Sequence, residues 1–104
     1  MNDLVERLHT TQAIIVSRAT GSIDLKDQIS RGYVLVKFPN TKGGTELGLN
    51  LDDAHTDISN ADFDNSNGSI HLEGTLNLNY TPIRCVADIS LETLDGEGFV
   101  RSLS

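Results

Sequence analysis

Three groups of side chains in this sequence have the types and spacing to do chemistry. The first is His71 with Glu73 two residues on. In a strand these two share a face. A carboxylate beside an imidazole raises its pKa and orients it, as a general base requires. If the chain folds back around Thr81-Pro82, Glu92 falls opposite His71, so His71, Glu73 and Glu92 are the catalytic candidates. The same residues would equally make a solvated cross-strand charge group. No nucleophile or oxyanion device accompanies them, and the reading leans away from an enzyme.

The second group is Asp62-x-Asp64-x-Ser66 followed by Glu73. Asp62 and Glu73 are spaced like the first and twelfth ligands of a calcium loop, which makes Asp62, Asp64, Ser66 and Glu73 the metal candidates. Gly68 stands at the seventh position, whereas the sharp turn of such a loop needs glycine at the sixth. Asn67-Gly68 is instead a strong hairpin signal. The third group is Asp52, Asp53, His55 and Asp57. Asp53 and His55 could share a metal, but two ligands without a third do not make a site. Cys85 is the only cysteine, which excludes an intrachain disulfide and a cysteine-based zinc site. It lies between Ile83 and Ala87 on the apolar face of its segment, where a thiol stays inert. Gly43-Gly44 lacks the Lys-Ser/Thr of a phosphate loop. No cofactor is expected.

Strands must position these groups. The first ten residues read as a short helix, capped by Asn2 or Asp3, with Leu4, Val5 and Leu8 on one face. From residue 11 the pattern changes to strands. Ala13-Ile14-Ile15-Val16 is a β-branched run, and Ile23 and Leu25 alternate with polar neighbours. Residues 32–38 form the strongest local strand, ended by Pro39 and a turn over Thr41-Lys42-Gly43-Gly44. Leu47, Leu49 and Leu51 alternate with polar residues or glycine. Ile58 to Phe63 reads as a short strand whose two apolar ends have opposite parity. Ile70, Leu72, Gly74, Leu76, Leu78 and Tyr80 then share one face, with His71, Glu73, Thr75, Asn77 and Asn79 on the other. Ile83, Cys85, Ala87, Ile89 and Leu91 continue the apolar face, against Arg84, Val86, Asp88, Ser90 and Glu92. A turn at Thr81-Pro82, of the type that takes a cis bond, would join the two segments. Asp95-Gly96-Glu97-Gly98 would turn the chain again before a last short strand, Phe99 to Leu103.

The expected fold is all-β: seven to eight mostly antiparallel strands as a small barrel or strongly bent sandwich, with a short N-terminal helix. The 104 residues are expected to form a single domain, with 1–10 the helix and 11–104 the β domain. Gly48 and Gly74, inside presumed strands, would either open interior space or mark bends.

Charge narrows the partners. Residues 1–50 carry five acids and six bases, whereas residues 51–104 carry ten acids against Arg84 and Arg101. The second half therefore sets up a negative field that repels phosphate backbones and anionic membranes, so nucleic acid and membrane are not expected as partners. No apolar run reaches the roughly 18 residues of a membrane span, and no apolar leader stands at the N-terminus. With one cysteine, a reducing cytoplasmic setting is expected. The aromatic residues are Tyr33, Phe38, Phe63, Tyr80 and Phe99, too few for a stacking platform.

The functional expectation is a small acidic, non-catalytic binding protein of inhibitor, neutralising or adaptor type. It presents its acidic C-terminal half to a basic protein partner through Asp52, Asp53, Asp57, Asp62 and Asp64. An alternative is a small barrel that binds a small-molecule ligand, as a carrier or as a cyclase- or isomerase-like enzyme. A further alternative is a structural homo-oligomer, such as a homodimer formed through a strand edge or the Val86 face.

Overall fold

The computed structural model describes residues 3–17, 19–41, 44–78 and 80–103, with residues 3–5 described by their backbone only. The roles read above for Asn2, Lys42, Gly43 and Asn79, and for the side chains of Leu4 and Val5, fall outside the described residues. In chain order the elements are α1 (Asp3–Leu8), β1 (Gln12–Val16), α2 (Ser22–Ser30), β2 (Tyr33–Phe38), β3 (Thr45–Leu51), β4 (Ser69–Leu78), β5 (Thr81–Ser90) and β6 (Asp95–Ser102). Each strand pairs antiparallel with the next, and β1 pairs with β6 to close a barrel.

The all-β class holds, with six strands among the described residues instead of seven or eight. Ile23 and Leu25 belong to α2, not to a strand. Leu25 is fully buried and Ile29, one turn on, packs against the core, while Ile23 is 55% exposed. Gly32 stops the helix at φ 80, and its N–H donates to the Ile29 carbonyl at 2.9 Å. A left-handed glycine just past the last turn is a common helix ending. Ile58 to Phe63 lies in a loop, 52–68, that meets β4 through an isolated bridge from Asp57 to His71 and through Asp52 N–H on the Glu73 carbonyl, and is pinched within itself by a bridge from Asp62 to Asn67. The parity conflict is resolved by burying Phe63 and exposing Ile58.

Two turns lie elsewhere than the sequence suggests. Leu78 pairs with Thr81, so the chain turns between those two residues, and Pro82 is inside the ladder opposite Asn77. The Thr81–Pro82 bond is trans. The Pro82 carbonyl accepts from Leu103 N–H at 3.0 Å. The donor that proline lacks would therefore face the end of β6, where a missing rung costs little. The β5–β6 turn is Leu91–Leu94, and Asp95-Gly96-Glu97-Gly98 opens β6. A Cβ at Gly96 or Gly98 would strike the carbonyl of Asp88 or Val86 on β5. Those glycines let two strands close up; they do not turn the chain.

Ile14 and Val16 of β1, Val34, Val36 and Phe38 of β2, and Leu47 and Leu49 of β3 point inward. So do Ile70 and Leu72 of β4, Ile83, Cys85, Ala87 and Ile89 of β5, and Val100 of β6, all buried. About eight strands enclose an interior just wide enough for side chains, and six enclose less. Gly74 opens no space: a Cβ there would lie 2.9 Å from both the Asn50 carbonyl and Leu49 Cβ. Gly48 lies under the Tyr33 ring. Connections alternate between the barrel's ends. At one end are α2, the 52–68 loop and the Leu91–Leu94 turn, with Leu25 and Phe63 buried there. At the other are the β2–β3 turn, the β4–β5 hairpin and α1, which packs on β6 and buries Leu8 completely. Among the described residues, no helix is long and apolar enough to cross a membrane.

Candidate functional site

The outward faces of β4 and β5 carry the richest polar cluster. Register sets its membership. His71 stands opposite Asp88, Glu73 opposite Val86 and Thr75 opposite Arg84. Glu92, expected opposite His71, is exposed in the β5–β6 turn. The hairpin turns two residues earlier than Thr81-Pro82 implies, so Asp88 takes the place of Glu92.

His71 is held on both sides. Its Nε2 lies 2.8 Å from Glu73 Oε2 and its Nδ1 lies 2.7 Å from Asp88 Oδ1. An ionised carboxylate only accepts, and a neutral imidazole has a single N–H. Both contacts are satisfied only by the imidazolium. The hydrogen bond that His71 gives to Glu73, then the one it gives to Asp88, raises the His71 pKa above 6.5. Glu73 is lowered in turn, chiefly by the His71 hydrogen bond. A ring with both nitrogens donating has no lone pair for a proton, so this geometry is an ion-pair clamp and not a general base.

The clamp extends into the loop through Arg84. Its Nη1 donates to Glu73 Oε1 at 3.3 Å and its Nη2 to Asp52 Oδ2 at 3.1 Å. His55 Nδ1 lies 2.8 Å from the same Asp52 oxygen. The His55 hydrogen bond, followed by that of Arg84, lowers the Asp52 pKa. The Arg84 and Glu73 side chains are only 16% and 17% exposed, so their hydrogen bonds work in a poorly solvated place. Arg84 and Asp88 were not singled out from the sequence. Their parity on the outer face of β5 is the signal that would have found them, given the right hairpin register.

The other expected ligands do not converge. Asp62 is turned onto its own loop, accepting from Asn65 N–H at 3.2 Å and Asn65 Nδ2 at 2.8 Å. These bonds lower its pKa. Ser66, at φ 50, turns its hydroxyl inward to Ser22 Oγ at 2.8 Å. Ser22 is buried and gives its single proton to the Phe63 carbonyl at 2.6 Å, so Ser66 is the donor between the two hydroxyls. Asp64 is exposed, and Glu73 is committed to His71 and Arg84. Among the described residues no three His, Cys, Asp or Glu side chains form a group that could hold a metal ion. Asp57 accepts from Ser59 N–H and Oγ, at 2.9 and 2.6 Å, and is held below the usual carboxylate range mainly by that hydroxyl. Asp53 is exposed. Cys85 is fully buried between its apolar neighbours, and burial pushes its thiol up to about 12.

An acid row runs across the sheet beside this cluster. Asp57 exchanges both backbone hydrogen bonds with His71, at 2.8 and 2.9 Å. Asp88 lies opposite His71, and Glu97 opposite Asp88. The next residue in that row is Ala13 of β1. Directly opposed side chains have Cβ atoms about 5 Å apart, and like charges so placed are destabilising. Glu97 thus faces an acid on one side and a methyl group on the other. The Asp88 side chain is 71% exposed. These carboxylates retain lone pairs toward solvent and can accept hydrogen bonds from an incoming cationic group. No protein-family model matches the chain, and no curated protein matches it.

Proposed function

We propose that this protein is a non-catalytic binding protein that meets a basic protein partner with the acidic end of its barrel. The observation that carries this reading is the Asp57–His71–Asp88–Glu97 row, in which two acids stand opposed with no Lys or Arg paired to Glu97 across the ladder. The opposition weakens the fold, and a basic partner would relieve it. Exposed Asp53, Asp57, Asp62 and Asp64 of the loop, with Glu92 and Asp95 around the β5–β6 turn, extend the same field. Asp52 contributes less than its sequence suggests, because Arg84 neutralises it and His55 Nδ1 lies against the same oxygen. The interior carrier reading has less support, since apolar side chains occupy the inward positions of the described strands. A lone buried thiol fits a reducing cytoplasm.

The test compares the wild type with a variant carrying Asp53→Asn, Asp64→Asn and Glu97→Gln, each used to capture proteins from native lysate at low and high salt. A basic protein recovered near one-to-one by the wild type at low salt, and lost both at high salt and with the variant, is the expected result. Equal recovery by both baits, or recovery indifferent to salt, overturns the reading.

A further inference from the structure

The β4–β5 hairpin forms a second surface of opposite character. From Gly74 to Ile83 the sequence has no Asp, Glu, Lys, Arg or His. Tyr80, beside the hairpin tip, is wholly exposed and sits at φ 68. That backbone region is disfavoured for a bulky residue, and Tyr80 buries nothing within its own chain to offset it. Next to it lies a pocket of about 370 Å³ lined by Asn50, Thr75, Leu76, Asn77, Pro82 and Leu103. The register explains the opening. Asn50–Thr75 is the last pair of the β3–β4 ladder toward this end, and beyond it the two strands diverge. Pro82 is exposed and Leu103 is 49% exposed, so the pocket has an apolar rim. Its volume lies in the range that accepts small organic groups.

We propose that this hairpin end is the contact between two copies of the chain, the Tyr80 phenol of each filling the pocket of the other. The knob is on the β4–β5 hairpin, and the pocket is lined by that hairpin with Asn50 of β3 and Leu103 after β6. Both therefore lie at one end of the barrel, and a single two-fold axis satisfies both at once, as an isologous interface requires. Charge selects the same occupant. The chain carries −7, so two copies repel each other through most of their surfaces. They meet without repulsion at the uncharged hairpin, which offers a basic partner no acid. Tyrosine is a frequent anchor of interfaces, where its ring supplies apolar area and its hydroxyl a hydrogen bond.

Sedimentation equilibrium tests this, with protein from about 1 to about 100 μM to cover modest affinities. The wild type is expected to reach twice its monomer mass as concentration rises, and to do so at least as readily in high salt, which screens the repulsion between the two acidic copies. Tyr80→Gly relaxes the left-handed backbone while removing the ring. It is expected to keep the thermal midpoint and weaken self-association at least about tenfold. Leu103→Glu, which places a charge in the pocket without touching the turn, is expected to do the same. A wild type that stays monomeric throughout overturns the proposal, as does a Tyr80→Gly protein that still dimerises. Protection of Tyr80 only on adding a different protein also overturns it.

Discussion

At one end of the barrel, the 52–68 loop, α2 and the β5–β6 turn are held largely by polar contacts. Asp57 and Asp62 fold onto their own loop, Ser66 reaches Ser22, and Arg84 joins Asp52 to Glu73. At the other end, the β4–β5 hairpin is held by a continuous ladder from Ser69–Ser90 to Leu78–Thr81, and its sequence from Gly74 to Ile83 has no charged residue. The difference follows from what each segment can bury. The loop inserts Phe63 into the core and packs Ala61 against it, so charge-assisted hydrogen bonds must supply much of its order. The hairpin alternates apolar and polar residues and needs no such bonds. The acidic end should therefore respond to pH and charge, and the hairpin end to changes of shape.

The largest effect should come from Gly68→Ala. Gly68 has φ 88, and a Cβ there would run into the Asn60 carbonyl. A loss of about 2–4 kcal/mol in urea denaturation is expected from strain plus clash. An unchanged midpoint would mean that the loop is not tied down as described. Arg84→Met should come next. It leaves the poorly solvated Glu73 carboxylate without its guanidinium, at a cost of about 1–3 kcal/mol. The hairpin register should persist in its amide exchange pattern. If Arg84→Met leaves denaturation unchanged, the network is ornamental to stability.

The pH profile separates the two ends without changing their shape. His71 has a raised pKa, so its stabilisation is complete below the unfolded value of 6.5 and is lost as pH rises through the folded one. Asp52, Asp57, Asp62 and Glu73 have lowered pKa values, so theirs is present above the unfolded values of 3.8 and 4.5 and is lost as pH falls through the folded ones. These groups place maximal stability between about pH 5 and 6.5. His71→Gln should flatten the alkaline limb and remove the Glu73 share of the acid limb, while sparing the Asp52 and Asp62 share. A steep alkaline limb in that variant would show that another group carries it. The smallest change should be Glu97→Gln, which removes the acid opposite Asp88 and should gain about 0.2–1 kcal/mol. A loss instead would show that Glu97 has a favourable partner and would remove the argument for an exposed acid row.

Much of this contrast was legible in the sequence. Alternation in residues 47–51, 70–78 and 83–91 assigned the inward and outward faces correctly, because each strand has one dry side, whereas Tyr80, read with the apolar face, is wholly exposed. The register was harder to read. Pro82 resembled a turn residue, but its missing donor faces the end of β6 and the ladder tolerates it. That reading moved Glu92 into the place of Asp88 and hid the His71 clamp. The helix α2 was missed because Ile23 and Leu25 mimic a two-residue period, although Leu25, Ile29 and Gly32 carried the helical spacing and its stop. No local pattern could show that Asp52 reaches Arg84. That contact depends on the path of a loop 17 residues long (52–68), and its 32-residue separation in sequence is bridged only by the closed sheet.

The order of strands also bears on how the barrel forms and opens. Five of its six ladders join segments that are neighbours in the chain, and only β1 with β6 joins distant ones. Contacts between neighbours form first because they close short loops. β1 is held by four register pairs to β6 and two to β2, against ten between β4 and β5 and eight between β5 and β6. The barrel should thus assemble as a curling sheet seeded on the β4–β5–β6 meander. β1 is then the stave that arrives last and leaves first, and its amides should exchange with solvent well before those of β5.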